Sequence, residues 1–154
     1  MMEAATLRNY RSGDWEAMYA LDVQCFEPPF RFSRRAMRGF AEAAGAITVL
    51  AEADGKLIGF CIVQMEDQLG YVVTLDVAAA GRRHGLARRL MNEVEARVRA
   101  EHGTAMALHV FEGNVGAVSF YESIGYARLA VAKDFYGHDV DALVYEKTLV
   151  AYPK

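Results

Sequence analysis

The stretch LDVAAAGRRHGLARRLM, Leu75 to Met91, constrains this chain more than any other. An apolar run ends in small residues; two arginines, a histidine and a glycine follow, and an apolar pattern of helical period begins at Leu86. That order predicts a strand, a short loop and the start of a helix. The first turn of a helix holds amides without helical partners and about half a positive charge. Gly85 carries no Cβ, so a ligand can come close to the backbone there. Arg82 and Arg83 add formal charge and forked donors. The stretch reads either as a seat for a phosphate or diphosphate or as a solvated basic loop that precedes a helix. It lacks the Gly-Lys-Ser/Thr ending of a P-loop and the three glycines of a dinucleotide fingerprint.

Composition narrows the field. The 154 residues suit one domain, spanning 1–154, large enough to bury roughly 70% of the surface of its unfolded form. A formal charge of −3 and a pI near 5.8 offer no general attraction for nucleic acid or acidic lipid, so anion binding has to be local. Cys25 and Cys61 form no CxxC pair and read as small buried hydrophobes in a reducing compartment. No apolar run reaches the roughly 18 residues of a membrane span, and the N-terminus lacks a secretory pattern. A cytoplasmic protein, monomeric or weakly dimeric, is expected.

Along the chain, Thr6 to Tyr10 predicts a first strand. Ser12 or Asp14 can cap a helix with Trp15, Met18, Leu21 and Cys25 on one face, stopped by Pro28 and Pro29. Ser33 caps a second helix, roughly Arg34 to Ala44. Asp54-Gly55 predicts a hairpin turn inside ITVLAEADGKLIGFCIVQ. A strand over Gly70 to Val77 leads to the Leu86 helix, then to the strand MALHVF. Asn114 caps a further helix that stops at Gly125. RLAVA and ALVYEKTL are expected as final strands, with KDFYGHDVD as the loop between them. The order β-α-α-β-β-β-α-β-α-β-β predicts an α/β (α+β) domain around one mixed sheet of about seven strands, with about four helices.

Two stretches together resemble a known family. Arg82-x-x-Gly85-x-Ala87, between a strand and a helix, is similar to the acetyl-coenzyme A signature of the GNAT N-acetyltransferases. Asn114-Val-Gly-Ala117-Val-Ser-Phe120-Tyr121-Glu122-Ser-Ile-Gly125-Tyr126 resembles that family's second signature. Ala79 and Gly81 depart from a frequent proline and a frequent aromatic. Three further stretches, GYVVTLDV, MALHVFEGN and KDFYGHDVDALVYEK, resemble protein N-terminal (N-alpha) acetyltransferases, among them the ribosomal-protein alanine acetyltransferases.

The resemblance implies acetyl-coenzyme A as co-substrate. Arg82, Arg83, His84, Gly85, Leu86 and Ala87 would hold its diphosphate, with Asn114 and Tyr121 also against the coenzyme. The backbone of Leu75, Asp76 and Val77 would take the pantetheine arm as a pseudo-strand and polarise the thioester carbonyl. His109 stands where the family has glutamate or histidine and would accept the amine proton, since it titrates near neutrality. Tyr71 would help His109 hold a bridging water, and Asp76 is a weaker alternative base. Tyr121 would serve the departing thiolate, because a phenol can donate to it. Phe26, Pro28, Pro29, Phe30 and Tyr136 would wall a slot for the first residues of a protein or peptide.

Each of these has a plainer reading beside it: a core histidine, packing aromatics, a pinned surface loop. His138, Asp139 and Asp141 read as a solvated turn rather than a metal site, and no metal is expected. A small-amine acceptor such as an amino sugar or polyamine, and an acyl-coenzyme A-binding domain without turnover, stay open beside the N-terminal amine.

Overall fold

The computed structural model describes residues 5–82 and 84–149. The predicted element order is observed: β1 (Thr6–Asn9), α1 (Trp15–Cys25), α2 (Arg34–Glu42), β2 (Ala46–Ala53), β3 (Lys56–Glu66), β4 (Leu69–Val77), a 3-10 turn over Ala79–Gly81, α3 (Leu86–Ala100), β5 (Ala105–Phe111), α4 (Val115–Ser123), β6 (Ala127–Gly137) and β7 (Val140–Thr148). The seven strands form one sheet in the order β1-β2-β3-β4-β5-β7-β6. Only β4 and β5 run parallel, because α3 carries the chain back between them.

Alternation along β2 and β3 builds a core on each face. Val49 stands opposite Cys61 and Leu50 opposite Phe60. Val49 and Cys61 join Leu90, Met91, Val94 and Val98 of α3. Leu50 and Phe60 join Met18 and Leu21 of α1 and Met37 and Ala41 of α2. Helices thus cover both faces, so these strands read as near-continuous apolar runs. Among the described residues no helix is long and apolar enough to cross a membrane.

Two expectations need correction. The segment KDFYGHDVD is not a loop: Lys133 to Gly137 belong to β6, and only His138 and Asp139 turn the hairpin, Asp139 with φ +59°. Asp134 and Asp141 turn inward to the backbone, Asp134 N–H donating to Asp141 and Asp139 N–H to Asp134, which holds the extended pair together. At α1, Asp14 occupies the cap position, but its carboxylate goes to Arg8 at 2.8 and 2.9 Å instead of to the helix amides. Ser33 and Asn114 do cap α2 and α4, accepting from Ala36 and Ala117.

One irregularity positions everything that follows. Val63 pairs with Val72 and Ile62 with Thr74, leaving Val73 as a bulge in β4. An extra residue reverses which face later side chains take. Tyr71 lies on the α1/α2 side before the bulge, and Asp76, opposite Phe60, lies on that side after it. Pairing between β4 and β5 also ends here, at Val72 opposite Leu108. Beyond that rung β4 continues with β3 to Val77, β5 continues with β7 to Phe111, and the two strands part.

Candidate active site

The fork between β4 and β5 is walled by backbone. Leu75, Asp76 and Val77 line one side with polar groups that β5 does not reach, since the β4–β5 ladder stops at Val72. Above the fork lies the start of α3. Its first helical bond runs from Arg89 N–H to the Gly85 carbonyl, so the amides of Leu86, Ala87 and Arg88 point out of the helix end. Gly85 has φ +75° in the left-handed region, and a Cβ built there would meet nothing within 4 Å. The backbone is bare and open on that side. The Leu86 side chain turns the other way, into the core. His84 is exposed, and Arg82 folds back so that Nε donates to the Val77 carbonyl at 3.2 Å. Arg83 lies outside the described residues.

At the crotch of the fork, the Tyr71 hydroxyl lies 2.8 Å from His109 Nδ1. Tyr71 is in the last paired stretch of β4, and His109 is the first residue of β5 beyond it. His109 is partly buried, which lowers its pKa below the ordinary histidine value. Burial raises that of Tyr71. When Nδ1–H donates to the Tyr71 oxygen, the Nε2 lone pair is left free to accept a proton.

The same face carries a wall of rings. Phe135 stacks on His109 with centroids 4.0 Å apart and planes 10° from parallel. Phe30 packs on Phe111 at 4.7 Å and edge-on to Tyr136 at 5.0 Å. Burial pushes the Tyr136 phenol up to about 12. Of the five residues expected to wall an acceptor slot, Phe30 and Tyr136 are brought together here. Phe26 is half-buried at the end of α1, its carbonyl held by Arg31. Pro28 and Pro29 lie on the exposed bend.

On the opposite face, Tyr121 is buried in the α3 core, edge-on to Tyr126 at 5.7 Å. Burial raises its phenol far above the ordinary value, so it is protonated throughout the neutral range. Asp76 does not fit the role of base. Its carboxyl, on the same face as Tyr71, is fully buried beside Asp22 and its pKa is raised. His138 and Asp139 do come within 4.8 Å of Asp134, all three exposed on the hairpin tip, with Asp134 in the place given to Asp141.

A profile of the acetyltransferase (GNAT) family matches residues 15–126. The chain belongs to the GNAT family. It is an acyltransferase that uses acetyl-coenzyme A. This acetyltransferase is 32% identical over 145 residues to a mycothiol acetyltransferase of Thermobispora bispora, covering 84% of this chain and 48% of that one. It is 31% identical over 108 residues to N-alpha-acetyltransferase 20 of Dictyostelium discoideum, covering 67% and 62%. The chain therefore spans about half to two thirds of those relatives' lengths. Its fold is that of the ribosomal-protein-S18-alanine N-acetyltransferase of Escherichia coli, with a TM-score of 0.86 at 18% identity over 98% and 97% of the two chains.

Three residues at or beside this candidate site were missed in the sequence. Phe111 follows His109 by two, so strand alternation alone puts it on the same face. Phe135 was hidden by reading its strand as a loop. Asp22 falls within the buried α1 face of Met18, Leu21 and Asp22; a carboxylate inside an apolar stripe was the available signal.

Proposed function

We propose that this acetyltransferase transfers acetyl to the N-terminal α-amino group of a protein or peptide by direct attack. The observation that carries the reading is the Tyr71–His109 contact at the crotch of the fork, beneath the rings of Phe30, Phe111, Phe135 and Tyr136. The coenzyme fits the residues present. Gly85 leaves open space at a helix start, and β4 beyond Val72 offers backbone groups free of β5. Leu86 and Ala87 amides, Arg82 and Arg83 would take the diphosphate, and Leu75 to Val77 the pantetheine arm. Asn114, which caps α4, would also bond the coenzyme. When bound, the coenzyme supplies a thioester whose carbonyl carbon accepts the amine.

A free α-amino group has a reference pKa near 8, so part of it is neutral at pH 7. His109 Nε2 takes its proton as the nitrogen bonds to carbon, directly or through one water. Tyr71 holds the imidazole at Nδ1 and fixes which nitrogen is free. As the carbon–sulfur bond breaks, Tyr121 would donate a proton to the thiolate and regain one from solvent, to which His109 releases the amine proton. The net transfer is one proton from amine to thiol. Apolar rings suit the first one or two residues of a peptide, and Cys25 and Cys61, both free thiols, suit the cytoplasm.

The similarity to the mycothiol enzyme supports a second reading, a small amine as acceptor. Thiol release from acetyl-coenzyme A, followed with peptides varied at the first two positions and with amino sugars and polyamines, separates the two. Turnover confined to small amines would reject the N-terminal reading.

A further inference from the structure

Asp22 and Asp76 are both fully buried, and neither has an ion-pair partner among the described residues. Asp22 Oδ2 accepts the Phe32 N–H at 2.7 Å. Asp76 Oδ1 accepts the Thr74 hydroxyl at 2.5 Å. One oxygen on each, Asp22 Oδ1 and Asp76 Oδ2, is buried with no hydrogen-bond partner, and the two carboxyls lie close enough for Asp22 to act on Asp76. Two adjacent buried carboxyls cannot both stay charged at low cost, and a single proton shared between the two orphaned oxygens would partner both. Burial first, and then Asp22, hold the Asp76 carboxyl well above the usual range.

The pair sits at a junction. Through Phe32, Asp22 fixes the end of the bend that carries Phe30 onto Phe111 and Tyr136. Arg31 ties the same bend to α1 by donating to the Phe26 and Val23 carbonyls. Asp76 lies on β4 between Leu75 and Val77, and Cys25 Sγ of α1 donates to the Val77 carbonyl at 3.4 Å. The other titratable or charged groups near the pair are Cys25 from α1 and Arg82 from the loop after β4 and, across the sheet in the α3 core, Cys61 from β3 and Tyr121 from α4. The Arg82 guanidinium is spent on the Val77 carbonyl instead of on either acid.

We propose that Asp22 and Asp76 are positioning residues whose shared proton locks the acceptor-facing bend of residues 26–32 to the coenzyme-facing strand β4. The inference rests on the acceptor reading above. Loss of the lock lets the α1 end and Phe30 drift from the fork, which weakens acceptor binding and leaves His109 and Tyr121 untouched.

The full-length chain tests this with Asp22→Ala and Asp22→Asn. In Asp22→Asn the introduced side-chain amide would donate permanently to Asp76 Oδ2 while its oxygen still accepts from Phe32. Asp22→Ala should raise acceptor KM about tenfold, the size of one lost buried hydrogen bond, at nearly constant kcat; Asp22→Asn should restore it. Hydrogen exchange at the Phe32 amide needs no acceptor: fast in Asp22→Ala, slow in wild type and Asp22→Asn. As pH rises, the wild type, whose shared proton can leave, should show a higher KM and less Phe32 protection than Asp22→Asn. The alkaline comparison uses only the isosteric variant, so it stands if Asp22→Ala does not fold. Equal Phe32 exchange in all three proteins, an asparagine variant as impaired as the alanine variant, or coincident alkaline profiles of wild type and Asp22→Asn would each overturn the lock. Normal exchange behaviour with no peptide turnover would instead reject only the acceptor reading.

Discussion

The Tyr71 hydroxyl meets His109 Nδ1 at 2.8 Å at the point where β4 and β5 separate. Their meeting is a product of register: Tyr71 pairs with Ala107, and His109, two residues on, shares its face.

This contact sets a pH dependence. Burial lowers the His109 pKa, so the acidic limb of kcat/KM should lie below the ordinary histidine value of about 6.5. His109→Ala should remove that limb and cut kcat by about 10²-fold; wild-type rates in the variant would dismiss the base. The stability sign follows. The depressed folded value contributes stability that is present above about pH 6.5 and lost as pH falls through the folded pKa. Denaturant titrations from about pH 7 down to about pH 5, wild type against His109→Gln, measure it.

Tyr121→Phe keeps the ring in its core site and deletes only the hydroxyl. We expect kcat to fall by about 10²-fold, coenzyme affinity to hold, and stability to change by less than about 1 kcal/mol. A variant with unchanged kcat in single-turnover kinetics would take the thiolate role away from Tyr121.

At the α3 start, Gly85→Ala should cost about 1–2 kcal/mol in stability, because φ +75° disfavours a Cβ. It should weaken coenzyme binding as well, since the methyl projects into the open space above the helix end. Arg82→Ala should weaken binding by about 1.5–3 kcal/mol. Calorimetric titration of coenzyme A into each variant checks both; affinities equal to wild type would move the diphosphate elsewhere.

A structural prediction concerns Glu95, only 3% exposed, which receives Lys147 Nζ at 2.8 Å and the Tyr126 hydroxyl at 2.9 Å. Lys147→Met strands a buried carboxylate and should destabilise the fold by about 3 kcal/mol. Thermal melts should show it as a drop of several degrees, and pairing the change with Glu95→Gln should recover most of the loss.

Much of this was legible in the chain. Apolar periodicity, Asp54-Gly55 and the Ser33 and Asn114 caps are local signals, and they placed the elements in order. Arg82-x-x-Gly85 announced the helix start because its chemistry is contiguous. What escaped depended on distant partners. The Val73 bulge turns Asp76 toward α1, against strict alternation, and no residue near it says so. Asp14 looks like a cap until Arg8 claims it. Phe135 was hidden because Lys133 to Gly137 are rich in polar and turn-forming residues, yet they extend by pairing with β7 and through the Asp134 and Asp141 bonds.

The fork also divides the sheet mechanically. Four rungs, Leu69–Ala105 to Val72–Leu108, are the whole ladder joining β1–β4 to β5–β7. Any elongated guest that bonds to both margins acts as a splint across that seam. The two halves should therefore melt as a more cooperative unit with coenzyme present, and the protein would gain rigidity where its chemistry takes place.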